Sequence, residues 1–235
     1  MSRQYNKRMS ASSASGDRPP ELRRFQHPRF GRFWVRVSEI ADRRGAVEHR
    51  RRLVSGTTGR VLEIGSGNGR NFQHYPASVT EVVAVEPNDE LRVHSERNAA
   101  SAPVPVRVVP GHADALPGES SSFDGVVLCQ VLCSVPDPAS ALREIRRVLR
   151  PQGKVHFLEH VRSSRRLVGA FQEGIAPIWR RLCGGCELHR DTASEIEGAG
   201  FALGSVRRFG FSPGPLFWMT YVLGTAAPDD HADHP

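Results

Sequence analysis

One stretch dictates the architecture of this chain: Arg60-Val61-Leu62-Glu63-Ile64-Gly65-Ser66-Gly67-Asn68-Gly69. Its apolar run ends in a glycine, as buried strands often do, and the glycines that follow open a loop that leads into the next helix. A dinucleotide-binding loop of the pattern G-x-G-x-x-G would need glycine at position 70, which is Arg70. The spacing is instead E-x-G-x-G-x-G. An acid two residues before the first glycine repels a pyrophosphate and favours a ligand that carries a positive charge.

Acidic residues also follow the next two predicted strands. Glu86 ends the strand 80–86, about 20 residues beyond the loop, where a carboxylate accepts hydrogen bonds from ribose hydroxyls. Asp114 follows the strand 104–109, where it can accept from an adenine amino group. Either acid alone would be an ordinary solvated residue. Together with Glu63 they predict a binding site along one sheet edge, because ligands of open α/β sheets bind at the carboxyl ends of the strands.

Strand and helix patterns alternate along the chain, which predicts an α/β fold with a mainly parallel sheet and helices on both faces. The predicted strands are 60–65, 80–86, 104–109, 123–129, 154–159, 201–211 and 217–226. The predicted helices are 28–55 with a break at Gly45, 88–99, 138–149 and most of 165–200. We divide the chain into a disordered basic tail (1–20), N-terminal helices (21–58), a main domain (59–227) and a flexible tail (228–235).

Composition limits the class of protein. The 235 residues are 39% hydrophobic and 24% charged, which is ordinary for a globular chain. No apolar run approaches the roughly 20 residues of a membrane span, and no secretory signal is present. Four cysteines in a chain of this length do not indicate a disulfide scaffold, so we expect a reducing, cytoplasmic location. Much of the formal net charge of +7 comes from the first 60 residues, which include Arg50-Arg51-Arg52. This charge is compatible with nucleic acid, an anionic membrane surface or an acidic substrate, and equally with a solvated basic face.

The ordered motifs of the chain resemble those of class I S-adenosylmethionine-dependent methyltransferases with a methyltransferase type 11 domain. They are Leu62–Gly69, Glu86-Pro87, Gly111–Pro117, Ser122-Phe123-Asp124 and Arg146–Pro151. Within that superfamily the chain is similar to the methyltransferase-like seven branch of alkyl-thiol S-methyltransferases. This closer likeness is carried by Asn71-Phe72-x-x-Tyr75-Pro76, Val131–Val135, Phe157–Val161, Gly185-Cys186 and Arg190-Asp191-Thr192.

The resemblance implies a Rossmann-like, seven-stranded, mostly parallel sheet with the last strand antiparallel. It also implies that the methyl donor, S-adenosylmethionine, lies across the carboxyl ends of the first four strands. The glycines would approach its methionyl part, Glu86 its ribose, and Asp114 its adenine. The implied donor-binding residues are Glu63, Gly65, Ser66, Gly67, Asn68, Gly69, Glu86, Pro87, Ala113, Asp114, Ala115, Cys129, Gln130 and Val131.

His160, at the end of the fifth strand, is the candidate catalytic residue, as acceptor of a proton from the substrate, and a hydrogen-bonded structural histidine is the alternative. Glu159 could orient this histidine or bind a following helix instead. The resemblance implies a small-molecule acceptor such as a thiol, and because a thiol ionises readily a strong base is not mandatory. We expect the N-terminal helices 21–58 and Trp179 to cap the acceptor pocket. A lipid or quinone is the alternative. The stretch after the fourth strand, Cys129–Cys133, lacks the polar-Pro-Pro-aromatic motif of base methyltransferases, so no nucleic-acid partner is expected. The remaining hypothesis is a non-catalytic protein that binds the donor.

Two further expectations concern metals and membranes. Cys183, Cys186 and His189 form a C-x-x-C-x-x-H pattern, but a structural zinc site usually takes four ligands. Only His160 or Cys133 is left to complete such a set, so we expect no metal site. The Arg-rich N-terminal region is compatible with peripheral contact with an anionic membrane. The sequence leaves the oligomeric state open.

Overall fold

The structure is a computed structural model and describes residues 20–214 and 217–229. Seven strands form one sheet in the order β3-β2-β1-β4-β5-β7-β6. They are β1 Gly59–Ile64, β2 Val79–Val85, β3 Val106–Val109, β4 Phe123–Cys129, β5 Leu149–His160, β6 Phe201–Gly214 and β7 Phe217–Pro228. Strands β1 to β5 pair in parallel, and β7 runs antiparallel to both β5 and β6. The predicted α/β sheet with its last strand antiparallel is confirmed.

Six α-helices accompany the sheet in the described ranges. They are α1 Pro28–Ala41, α2 Val47–Val54, α3 Asp89–Ala99, α4 Pro138–Val148, α5 Arg166–Leu182 and α6 Thr192–Gly198. A π-helical turn, Asp42–Ala46, joins α1 to α2, and Gly45 breaks the helical path there with φ 112°. The Asn88 side chain caps α3 by accepting from the Leu91 N–H. None of the helices in these ranges is both long enough and apolar enough to cross a membrane.

Apolar clusters cover both faces of the sheet. Leu62 and Ile64 of β1 pack into one cluster, and Val61, just before them, packs into the other. This alternation follows from the two-residue period of a strand. Because both faces are buried, the central strands read in sequence as continuous apolar runs rather than as alternating ones.

Some element boundaries differ from the prediction. Strand β5 begins at Leu149, five residues early, because Leu149 already pairs with Phe123 before an irregular stretch leads to the regular pairing of Lys154 with Gly125. The helical region 165–200 divides into α5 and α6, with a loop between them. The tail predictions for 1–20 and 228–235 fall almost entirely outside the described residues, and the domain division stays a prediction.

The sheet order creates a crevice at the carboxyl end of β1. Strands β2 and β3 lie to one side of β1, whereas β4 and β5 lie to the other. The loops after β1 and β4 therefore diverge to opposite sides of the sheet. Ligands of open α/β sheets bind at such a switch point.

Candidate functional site

The loop after β1 meets the turn after β4 across this crevice. Gly65 has φ 61°, and a Cβ atom placed on it would lie 3.0 Å from Cγ2 of Val131. Only glycine combines that backbone angle with so close an approach. Gly69 has a different constraint, because a Cβ there would lie 2.6 Å from the Phe72 ring. The first glycine keeps the crevice open, and the last allows the loop to pack on its own core.

Two polar side chains of the loop bind protein groups. Ser66 Oγ lies 3.0 Å from Ser95 Oγ, and Asn68 Nδ2 donates to Ser38 Oγ at 2.9 Å. Both side chains are buried. A ligand would therefore meet the loop mainly through its backbone.

Glu86 fixes this loop to the end of β2. Its buried carboxylate accepts from the Gly67 N–H and the Asn88 N–H, each at 2.8 Å. Burial raises the pKa of Glu86 to about 7, against the lowering effect of these two donors and of Arg92. The structure thus places Glu86 beside the glycine loop as predicted, with its protonation poised near neutral pH.

A cleft follows the same sheet edge. Five of its lining residues belong to the predicted donor site: Gly65, Pro87, Ala113, Asp114 and Val131. Oδ1 of Asp114 is buried and has no hydrogen-bond partner in the part of the chain that the structure describes. A buried acceptor of this kind is costly unless a ligand donates to it. Ala115 closes the turn instead, through its N–H to the His112 carbonyl.

The segment before α1 covers the Asp114 end of the cleft. Arg24 donates to Asp114 Oδ2 at 2.9 Å, and Phe25 stacks on His112 with ring centroids 5.4 Å apart. Further along, the indole nitrogen of Trp34 would lie 3.3 Å from a Cβ on Gly67. The N-terminal segment was predicted to cap an acceptor pocket. It contacts the donor side of the site, and a role over an acceptor stays a prediction.

Glu63 is the centre of a buried polar network that the sequence did not predict. Its carboxylate accepts from the Tyr75 hydroxyl at 2.6 Å and from Asn71 Nδ2 at 3.0 Å. Burial raises the pKa of Glu63 to about 7, against these two donors and Arg50, which lower it. Because both oxygens already have protein partners, a ligand would use their remaining lone pairs or a bridging water.

Arg50 joins the network to the end of β4. This buried guanidinium donates to Asp42 Oδ1 and Asn71 Oδ1, each at 3.1 Å, and lies 3.6 Å from Cys129 Sγ. Burial raises the pKa of the Cys129 thiol to about 11 despite this cation, so the thiol stays neutral. In sequence Arg50 looked like part of a solvated arginine run, and nothing in that run marks it out.

The backbone after Cys129 is held in an unusual conformation. Gln130 has φ 61°, in the left-handed region that non-glycine residues rarely adopt, and its N–H donates to the Leu158 carbonyl at 2.7 Å. Strained residues of this kind concentrate at functional sites. This angle turns the chain away from β4 and sends Val131 towards the glycine loop.

Glu159 stabilises the same turn. Its buried carboxylate accepts from three consecutive backbone N–H groups, those of Val131 at 2.8 Å, Leu132 at 3.1 Å and Cys133 at 3.2 Å. Burial raises the pKa of Glu159, and these donors oppose that effect. The two suggested roles, orienting His160 or binding a following helix, are therefore replaced by a third. Glu159 binds the turn after β4.

His160 lies at the predicted end of β5, buried among sulfur atoms. Its Nδ1 is 3.4 Å from Cys186 Sγ and 3.8 Å from Cys133 Sγ, and its ring packs on Tyr221 at a centroid distance of 4.5 Å. Its Nε2 is buried without a hydrogen-bond partner among the described residues. The C-x-x-C-x-x-H pattern does not form a ligand set, because only Cys186 of its three residues joins this cluster, and His189 lies beside Glu187.

The chain is similar to known methyltransferases. The family described as "methyltransferase domain" matches residues 62–157, which run from the second half of β1 through β2, β3 and β4 into β5. The human protein thiol S-methyltransferase TMT1B is 34% identical over 190 residues, 74% of this chain and 73% of the relative. Human thiol S-methyltransferase TMT1A is 32% identical over 184 residues, with 74% and 75% covered.

Solved structures agree on the fold. An S-adenosylmethionine-dependent methyltransferase from Thermotoga maritima, described as a possible histamine N-methyltransferase, superposes with a TM-score of 0.66 at 22% identity. The match covers 85% of this chain and 96% of that one. A likeness at this level of identity supports the architecture, and it says nothing about the acceptor.

Proposed function

Because the chain belongs to the class I S-adenosylmethionine-dependent methyltransferases, in the branch of the thiol S-methyltransferases, we propose that it methylates the sulfur of a small thiol. The observation that carries the donor half is the unpartnered oxygen of Asp114, buried in a cleft that the glycine loop also lines. The thiol half rests on the similarity to TMT1B and TMT1A.

The residues of the cleft fit S-adenosylmethionine, which supplies an electrophilic methyl group on a sulfonium centre when bound. Asp114 Oδ1 would accept from the adenine amino group, and Glu86 would accept from the ribose hydroxyls. The glycine backbone of the loop 65–69 would approach the methionyl part. Cys129, Gln130 and Val131 would form the floor, where the strained backbone at Gln130 places Val131 against Gly65.

Methyl transfer asks the protein chiefly for alignment and for exclusion of water. Such positioning is worth roughly 7–11 kcal/mol of an activation barrier. Glu86 and Glu159 supply it here by fixing the loop after β1 and the turn after β4. The acceptor sulfur must also lose its proton to become a strong nucleophile. His160 lies two residues beyond the β4–β5 pairing, and we assign it to this ionisation.

The expected partners and setting complete the proposal. One groove of α1 is lined by three arginines and an aromatic residue. They are Arg29, Arg32, Arg36 and Phe33, and Phe33 is 51% exposed. This basic face with one apolar side chain suits peripheral contact with an anionic membrane. Sedimentation with anionic vesicles tests the contact, and equal binding to neutral vesicles would contradict it.

All four cysteines are free thiols, which supports a reducing, cytoplasmic setting. We expect no nucleic-acid partner.

The decisive experiment is a transfer assay with methyl-labelled S-adenosylmethionine against a small alkyl thiol, the matching alcohol, a phenol, a quinol and a lipid. We expect label only in the thioether formed from the thiol. His160→Ala should lower this turnover and leave donor affinity unchanged. It should cost less for an acidic thiol that is already ionised than for a weakly acidic one. Label on the quinol or the lipid with none on the thiol would replace the proposed acceptor.

A further inference from the structure

The structure brings together three side chains from distant parts of the sequence, Cys133, His160 and Cys186, whose two Sγ atoms and one ring nitrogen all lie within 4.8 Å of one another. All three are buried. We infer that this cluster binds a Zn²⁺ ion, and, resting on the proposed function, that the ion binds and ionises the acceptor thiol.

The spacing of the ligand atoms matches a tetrahedral site. Zinc binds sulfur at about 2.3 Å and imidazole nitrogen at about 2.05 Å, so two such ligands at a tetrahedral angle lie about 3.6 Å apart. The two distances from His160 Nδ1, 3.4 Å to Cys186 and 3.8 Å to Cys133, lie on either side of that value. The two nitrogen–sulfur distances therefore fit ligands that share one tetrahedral ion.

The backbone around the cluster holds the three ligands in place. Cys133 is fixed by the Glu159 carboxylate through its N–H and by the Glu187 N–H through its carbonyl, the latter at 2.7 Å. His160 pairs with Tyr221 in the β5–β7 ladder. The Glu187 bond also ties the segment that carries Cys186 to the turn that carries Cys133. Ligands held on separate, fixed segments are the arrangement that a tight metal site requires.

Hydrogen bonding leaves one of the two thiols of the cluster without His160 as its acceptor, and a metal would bind both. The lone pair of Nδ1 can accept from one thiol only, although both sulfur atoms face it. Two thiolates and a neutral imidazole around Zn²⁺ would instead use every ligand atom and would leave no net charge in a buried place. Thiolate ligands also select soft or borderline ions over Mg²⁺ and Ca²⁺.

Three protein ligands identify the type of site. Structural zinc sites are closed by four ligands, whereas catalytic sites keep the fourth position for water or substrate, and two cysteines with one histidine are a known catalytic set. In residues 20–214 and 217–229 the group of potential ligands stops at three. Val131, two residues before Cys133, lines the donor cleft, so one turn carries both a zinc ligand and a residue of the donor site.

The reaction balances with a thiol in that position. The thiol binds through sulfur and releases its proton to solvent, because a coordinating thiol is deprotonated. A sulfur electron pair then forms the new bond to the methyl carbon. The bond from that carbon to the sulfonium breaks, and its electron pair stays on the donor sulfur. The neutral thioether product is a weaker ligand and leaves. His160 then contributes as a ligand and not as a proton acceptor.

Metal content tests the site without any activity measurement. Chelator-treated, reduced protein incubated with Zn²⁺ and desalted should retain about one ion per chain. Cys133→Ser and Cys186→Ser should each weaken Zn²⁺ affinity by at least about tenfold, the scale seen even for lost supporting groups of metal sites. Cys183→Ser is the matched control, since that thiol lies outside the cluster, and it should retain the ion. Wild-type protein without bound zinc, or equal retention by all the variants, would overturn the inference.

Cobalt gives a readout that needs no variant to fold. Co²⁺ in the wild-type site should show thiolate-to-metal charge-transfer bands and intense tetrahedral bands in the visible region. A small alkyl thiol added without donor should shift these bands, whereas the matching alcohol should not. Cobalt spectra without thiolate bands would refute the site. Thiolate bands that no thiol shifts would refute the acceptor role. Zinc bound with no thiol methylated would refute the proposed function and leave the metal site standing. Thiol methylation by protein without zinc would refute the role of the metal and leave the proposed function standing.

Discussion

Replacing Glu86 by glutamine should abolish the pH dependence of donor binding. In the wild-type protein, burial raises the pKa of Glu86 to about 7, far above its ordinary value of 4.5. Only the ionised carboxylate offers all its lone pairs to ribose hydroxyls. At about pH 6, one unit below this pKa, roughly a tenth of the free protein is ionised, so the apparent Kd should be about tenfold higher than its limiting value. At about pH 8 that penalty is nearly gone.

The glutamine variant should bind weakly at every pH. Its amide nitrogen must face either the Gly67 N–H or the Asn88 N–H, which now donate to the two carboxylate oxygens at 2.8 Å. One hydrogen bond to a charged group is lost, at about 1.5–3 kcal/mol, and two donors face each other. The loop then loses its tie to β2. We expect affinity at about pH 8 to fall by about 1–3 kcal/mol and to stay constant down to about pH 6.

Isothermal titration calorimetry with S-adenosylhomocysteine at constant ionic strength measures both effects. Glu195→Gln is the matched control, because burial also raises the pKa of Glu195, which lies on α6 and does not line the donor cleft. This variant should keep the tenfold slope. The reasoning fails if wild-type affinity does not change with pH, or if the slope survives in Glu86→Gln and vanishes in Glu195→Gln.

The same pKa shift affects folding in a defined direction. The folded protein binds a proton at Glu86 more tightly than the unfolded chain does, so this group favours folding most below about pH 4.5. Its contribution is lost progressively as the pH rises towards about 7. Urea unfolding of the ligand-free protein should show stability that falls with rising pH across this window, and less steeply in Glu86→Gln.

Two further substitutions test the donor cleft by the same calorimetry. Asp114→Ala removes the buried oxygen assigned to adenine and should weaken donor binding by about 1–3 kcal/mol. Glu119→Ala, on an exposed stretch nearby, is the control and should not weaken it. Equal donor affinities of the two variants would remove Asp114 from the site. Gly65→Ala forces φ 61° on a residue with a Cβ 3.0 Å from Val131, so it should weaken donor binding and cost about 1–2 kcal/mol of unfolding free energy. Gly174→Ala, where a Cβ meets nothing within 4 Å, should change neither donor affinity nor unfolding free energy. A donor affinity unchanged in Gly65→Ala would show that the crevice tolerates the added Cβ atom.

The sheet and the donor edge were predictable because local rules determine them. Apolar runs bounded by glycine give the strands, and the carboxyl ends of parallel strands meet at one edge. Glu86 and Asp114 could therefore be placed beside the loop 65–69 from spacing alone. The start of β5 was not predictable in this way, because Pro151-Gln152-Gly153 reads as a turn and only the pairing of Leu149 with Phe123 shows otherwise.

The acceptor side depended on contacts that no local pattern encodes. Cys133 and Cys186 are 53 positions apart, and the shared partner His160 lies between them in sequence. The C-x-x-C spacing drew attention to Cys183, which the fold leaves outside the cluster. Arg50 lay in a charge run whose ordinary explanation is solvation, and its burial follows only from the packing of the N-terminal helices on the sheet.

Glu159 links the two halves of the site mechanically. Three consecutive N–H groups on one buried carboxylate make a rigid turn, since each donor fixes the peptide plane of the next. Val131, at the first of these positions, contacts the donor loop across the crevice, and Cys133, at the third, faces His160. The donor cleft and the sulfur cluster therefore cannot shift independently. For a displacement at carbon, which needs nucleophile, methyl group and leaving sulfur in one line, that fixed separation is the property the protein must supply.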